Sequence, residues 1–176
     1  AKNKRFILKE LNEKARFSKY EESFLWLKDA GVAIPVYNIE EPRVPLLLSK
    51  QRNLFKLFLN DVGLLAAMYG GNIQTRLLSQ DTNINFGSVY ENLVAQELCA
   101  HGFYQQHSLY YFNSKKQGEL DFVVEYDNNV LPIEVKSGKD YHRHNALSGV
   151  MSNQGYAIPR AFTLCQGNVE VVGNVV

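Results

Sequence analysis

Residues 118–140 read GELDFVVEYDNNVLPIEVKSGKD. Asp127-Asn128-Asn129 is turn chemistry, and the apolar runs on either side alternate as strands do. The segment is predicted to be a β-hairpin with arms ELDFVVEY (119–126) and VLPIEVK (130–136). Charged side chains sit inside both arms. Residues two apart on a strand share a face, about 6.5–7 Å apart. Glu119, Asp121 and Val123 are therefore expected on one face, and Leu120, Phe122 and Val124 on the other. On the second arm Glu134 and Lys136 share a face, opposite Ile133 and Val135. If the register sets the charged faces side by side, the carboxylates converge and repel unless a cation lies between them. Lys136 is one candidate cation and a divalent metal is the other. Mg²⁺ takes one or two carboxylates plus waters and substrate phosphate. A lysine beside it can orient water or offset charge developing on phosphate. Cross-strand Glu–Lys pairing on a solvated face explains the hairpin alone equally well.

Working outward, GSVYENLVAQELCAHG predicts a helix from about 88 to 101, with Val89, Leu93, Val94 and Leu98 inward and Gly102 closing it. LYYFN (109–113) reads as a strand before the hairpin. A helix at about 140–152 follows it, then AFTLC (161–165) and VEVVG (169–173) as one or two strands. The order from residue 86 is helix, three strands, helix, strand.

The first part of the chain has a different pattern. Ile7, Leu8 and Leu11 suggest a helix over 4–12. Ser18-Lys19-Tyr20-Glu21 has the form of a capping box, with Tyr20, Phe24, Leu27 and Ala30 following on one face and Gly31 as the stop. VAIPVYNI (32–39) is a strand that Pro35 moves towards an edge. LFKLFL (54–59) returns as a second strand, and Asp61 caps VGLLAAMY, which Gly70-Gly71 ends. This is a small winged-helix-like α+β unit over residues 1–80, with polar QDTNIN (80–85) as linker and a second unit over 86–176.

Composition bounds the rest. The chain has 176 residues, 45% hydrophobic and 21% charged, enough apolar material for one sizeable domain or two small ones sharing a core. A net charge of +1 gives no global field for a polyanion. Residues 1–19 do concentrate Lys2, Lys4, Arg5, Lys9, Lys14, Arg16 and Lys19 against Glu10 and Glu13, a pattern that fits a solvated helix face or a phosphate partner. Cys99 and Cys165 have neither disulfide nor zinc spacing and read as buried thiols of a reducing cytoplasm. There is no run of 18 apolar residues, which points to a cytoplasmic protein with no membrane partner. The absence of an initial Met suggests a fragment of a longer polypeptide, truncated at the N-terminus of its first unit.

An Asp, twelve residues, then Glu-x-Lys on a hairpin, with a glutamate in the preceding helix and a helix after, resembles the PD-(D/E)XK nuclease superfamily. The resemblance implies an α/β fold with a restriction-endonuclease-like αβββαβ core. It implies roles residue by residue: Asp121 as the metal-binding aspartate of the second strand, Glu134 and Lys136 as acid and lysine of the third, and Glu91 as the helical glutamate. Leu120 stands where that superfamily usually has proline. More broadly, SKYEESFLWLKDAGVAIPVYNI, NLFKLFLNDVGLLAAMYG, FGSVYENLVAQEL, YYFNSKKQGELDFVVEY and LPIEVKSGK together resemble the C-terminal domain of unknown function of prokaryotic AAA-type ATPases.

The resemblance implies metal-dependent hydrolysis of DNA phosphodiesters with Mg or Mn held by Asp121, Glu134 and Glu91, and Lys136 positioning water. Its alternative is a catalytically inactive module that binds nucleic acid or regulates the ATPase. ATP would belong only to the ATPase domain, because no phosphate-binding G-x-x-x-x-G-K-[ST] occurs here. Lys115, Lys116, Lys139 and Arg143 are candidates to rim a nucleic-acid phosphate groove. His142 and His144 diverge on a helix and make a poor metal pair. Helix 19–30 carries too many acids to read a DNA groove, so docking on the ATPase half better accounts for LFKLFL.

Overall fold

The computed structural model describes residues 17–69, 71, 73–79, 86–104, 109–138 and 144–176. The elements in chain order are α1 (Phe17–Asp29), β1 (Ala33–Ile39), a 3-10 turn (Leu46–Ser49), β2 (Lys50–Leu59), α2 (Val62–Met68) and α3 (Ile73–Leu78). Then come α4 (Gly87–Ala100), β3 (Leu109–Ser114), β4 (Gly118–Tyr126), β5 (Asn129–Val135), α5 (Asn145–Met151) and β6 (Phe162–Leu164). From α4 onward the order is αβββαβ. The expected helix over 4–12, the linker 80–85 and the start of the helix predicted at 140 lie outside the described residues.

The described strands form one six-stranded sheet in the order β2-β1-β3-β4-β5-β6. β1 pairs in parallel with β3, from Val36↔Leu109 to Ile39↔Phe112, so the N-terminal hairpin extends the sheet of the C-terminal half. The two units expected from the sequence thus share one sheet. Pro35 does not mark an edge: β1 is flanked by β2 and β3. Pairing with β3 begins only at Val36, one residue after the proline, and β2 takes the edge instead.

Each face of the sheet carries its own core. Leu147 and Val150 of α5 pack with Tyr110, Phe112, Leu120, Val123, Ile39 and Leu46. Ala95 and Leu98 of α4 pack on the other face with Phe58, Val36, Tyr111, Phe122, Val124 and Ile133. α1 lies over β2, where Phe24 meets Phe55 edge to face at 5.1 Å between ring centroids.

Helix ends follow local chemistry. Gly31 adopts φ +69°, and the Gly31 and Val32 N–H groups donate to the carbonyls of Lys28 and Leu27, closing α1. Ser18 lies inside α1 rather than ahead of it. Asp61 caps α2 by accepting from the N–H groups of Gly63 and Leu64, at 2.6 and 3.0 Å. Asp127 and Asn128 both have positive φ, the two-residue turn in which Tyr126 pairs with Asn129.

Two further expectations are corrected. The inward face of α4 comprises Glu91, Asn92, Ala95 and Leu98, whereas Leu93 is exposed. Polar residues hold that face because partners await them, so apolar periodicity alone mislocates it. VEVVG forms no strand; only isolated bridges join Val172 and Ala161 to Val175. The short helix α3 had no forecast.

The charged arm also departs from strict alternation. Along β3 and β4 the register moves from Tyr110↔Val123 to Phe112↔Leu120, so Asp121 and Phe122 of β4 oppose Tyr111 alone of β3. This bulge puts Leu120 and Val123 together in the α5-side core, while Phe122 and Val124 enter the α4-side core. Asp121 sits at the bulge.

Candidate functional site: a buried lysine among carboxylates

Lys56 occupies the middle of β2, and only 1% of it is exposed. Alternation turns it to the same side as Phe58, towards α4, while Phe55 faces α1. Its ammonium lies 2.8 Å from Glu119 Oε1, 3.7 Å from Glu91 Oε2 and 3.7 Å from Asp121 Oδ1. The Tyr111 ring centroid is 5.0 Å away, adding a cation–π contact. An amino group rooted on β2 therefore meets, over the α4 face of the sheet, acids extended from β4.

Each acid is placed by a separate device. Glu91 is carried by α4, which Asn92 fastens to the end of β2. Asn92 Oδ1 accepts from the Leu59 N–H at 2.8 Å, and its Nδ2 donates to the Leu59 carbonyl at 2.9 Å. The Val62 N–H donates to Gln96 Oε1 at 3.2 Å, one turn further along. Asp121 stands beside the point where β4–β5 register pairing ends at Phe122↔Ile133, and its Oδ2 accepts the Val135 N–H at 2.9 Å. Asn113 Nδ2 donates to Glu119 Oε2 across the β3–β4 pair. A buried ion pair is tolerated when further hydrogen bonds satisfy its lone pairs, and the bonds to Asp121 Oδ2 and Glu119 Oε2 do this for two of the three acids.

Glu134 and Lys136 form a second ionic group. The Lys136 ammonium donates to Glu134 Oε1 at 2.8 Å, and the Lys136 and Glu134 side chains are 27% and 12% exposed. Ile133 and Val135 pack in the α4-side core, so alternation points Glu134 away from it. The Lys136 N–H donates to the Leu164 carbonyl at 2.8 Å, continuing the β5–β6 pairing by one residue. Of the four residues predicted to act together, Glu91 and Asp121 gather on Lys56, while Glu134 and Lys136 pair with each other.

Lys115 and Lys116 are exposed in the β3–β4 turn. Gly118, which ends that turn with φ +90°, faces the start of α5 so closely that a Cβ there would lie 3.1 Å from Ala146 Cβ. Lys139, His142 and Arg143 lie outside the described residues. Tyr111 and Phe112 are wholly buried and Tyr110 nearly so, so none is open to a base. Both cysteines are free and half-buried; burial pushes the Cys99 thiol up to about 11.

The donor geometry suits an ammonium better than a divalent metal. Mg²⁺ requires oxygens at about 2.0–2.1 Å in near-octahedral array. Here the carboxylates are spaced around Nζ at 2.8–3.7 Å, and Glu134 is engaged by Lys136. Among the described residues no three His, Cys, Asp or Glu side chains are grouped to hold a metal ion. As arranged, Glu91, Glu119 and Asp121 are engaged by Lys56 and Glu134 by Lys136. Lys56 and Asn92 went unforeseen; the available signal was a lysine inside the apolar run LFKLFL.

An αβββαβ core extended by an N-terminal hairpin and joined to it through a buried ionic centre defines a layered α/β class. Residues 86–173 match the family described as "Domain of unknown function (DUF4143)", and the chain belongs to that family. Residues 1–75 match a second one, "Domain of unknown function (DUF8612)". Lys56 lies in the second match, and Glu91, Glu119 and Asp121 lie in the first. No curated protein and no solved structure matches the chain. Among the described residues no helix is long and apolar enough to cross a membrane.

Proposed function

We propose that this chain is a nuclease-like module without hydrolytic turnover, serving as a regulatory or nucleic-acid-binding domain of a cytoplasmic AAA-type ATPase. One observation carries this reading. The acids that would hold a metal, Glu91 and Asp121, are bound instead to the Lys56 ammonium. The Lys136 ammonium, for its part, is held on Glu134 Oε1 at 2.8 Å rather than beside Asp121. The exposed Lys115 and Lys116 leave a place for phosphate contacts that would weaken steeply with salt.

The competing reading, DNA hydrolysis with Mg or Mn by Glu91, Asp121, Glu134 and Lys136, draws support from the meeting of Glu91 with Asp121. Supercoiled plasmid incubated with Mn²⁺ separates the two. Wild type and Lys136→Ala are expected to leave it intact alike. Nicking by wild type that Lys136→Ala abolishes would overturn the non-hydrolytic reading.

A further inference from the structure

We propose that Lys56 is the resident cation of the acidic centre, delivered by the DUF8612-like unit to the carboxylates of the DUF4143 unit, and that the centre is an ammonium site rather than a divalent-metal site. The inference concerns the same residues as the proposed function but does not depend on whether DNA is cut.

Three observations converge on it. First, the cation and the acids come from different matched units, Lys56 from residues 1–75 and Glu91, Glu119 and Asp121 from 86–173. Second, the distances are those of an ammonium. Its closest oxygen is at 2.8 Å, the other two carboxylates are at 3.7 Å, and the Tyr111 ring centroid at 5.0 Å is within cation–π range of an ammonium. Third, the supporting bonds from Asn113 to Glu119 and from the Val135 N–H to Asp121 fix two of the three carboxylates. The pocket is thus preorganised for a primary amine on a long stem.

Cutting that stem back should leave a slot of matching chemistry. In Lys56→Ala the three carboxylates and Cβ remain while the three outer carbons and the amino group are gone, so n-propylammonium fits where the side chain lay. Thermal unfolding of the full chain is followed with n-propylammonium or with Mn²⁺. At about ten times its dissociation constant, n-propylammonium should raise the midpoint of Lys56→Ala by roughly 3–6 °C. It should leave wild type unmoved, because the slot is filled. It should also leave Lys56→Met unmoved, because methionine occupies the channel without the charge. Adding Asp121→Asn to Lys56→Ala should abolish the shift.

Should Lys56→Ala fail to fold, recovery of a cooperative transition on refolding with n-propylammonium replaces the midpoint as readout. No response to the amine in either form overturns the proposal. So does an equal or larger response of Lys56→Ala to Mn²⁺, or a Mn²⁺ shift in wild type that Asp121→Asn removes. Plasmid nicking by wild type would defeat the functional reading while leaving these amine measurements to decide the cation.

Discussion

Replacing Lys56 by methionine keeps most of the stem's volume and deletes only the charge, so it isolates what the ammonium does. The lysine is 1% exposed, and its removal leaves Glu91 and Asp121, each 4% exposed, beside Glu119 with no cation between them. Removing one partner of a buried ion pair costs about 3–5 kcal/mol, because the other is stranded out of water. For a chain of this size each kcal/mol moves the midpoint by about 2–4 °C, so Lys56→Met should melt roughly 6–20 °C below wild type. Lys136→Met provides the comparison. Its side chain is 27% exposed and binds a single carboxylate, so solvent screening holds the loss to about 1 kcal/mol or less. Urea and thermal denaturation monitored by circular dichroism give both numbers. Adding Asp121→Asn to Lys56→Met removes a stranded charge, so the two effects should combine to less than their sum. Equal losses for the two lysines, or a Lys56→Met loss below about 1 kcal/mol, would refute the assignment of Lys56 as the shared cation.

Two further predictions test how the surroundings hold this centre. Asn92 both donates to and accepts from Leu59, so Asn92→Ala should cost about 1–3 kcal/mol in urea denaturation. Asn92→Asp should do no better, since aspartate cannot donate to the Leu59 carbonyl; wild-type stability in Asn92→Asp would remove this side chain from the account. The Cys99 thiol is raised from 9.0 to about 11 by burial, so in that window the unfolded chain has lost a proton the folded chain keeps. Stability should therefore fall as pH rises from about 9 to 11, with Tyr104, raised by burial and then by Cys99, acting in the same direction. Cys99→Val should flatten the decline in the urea midpoint, and an unchanged slope would count against it.

The elements legible in the sequence were those whose signal is local. The Asp127-Asn128 turn forces positive φ at both positions, and it formed where expected. Gly31, Gly102 and Asp61 ended or began helices through bonds within a few residues. Features set by distant neighbours were not legible. Pro35 reads as an edge residue from its missing N–H, yet the register that begins at Val36 lets β1 take an interior place. Leu93 reads as inward from spacing, yet Glu91 and Asn92 displace it because Lys56 and Leu59 of β2 offer them partners. The β4 bulge leaves no mark in ELDFVVEY, since it answers the packing of Leu120 and Val123 on one side of the sheet.

Charge convergence was the part of the site open to inference, and cation identity was not. Acids spaced by two on a strand must find a cation, and the lysine built into the same hairpin is Lys136. Chain proximity misleads here because sheet order, not sequence, decides which strands are neighbours. Once β1 pairs in parallel with β3, β2 continues the same sheet at its edge, and Lys56, projecting on the α4 face, meets acids rooted on β4. A lysine in an apolar strand has to resolve its own burial, and the carboxylates gathered beside it have to resolve theirs; each is the other's cheapest solution. The same reasoning binds the two halves of the chain together. If the β1–β2 hairpin shifted away from β3, Lys56 would leave the acids, so the ionic centre makes the integrity of the DUF4143 unit depend on the element before it.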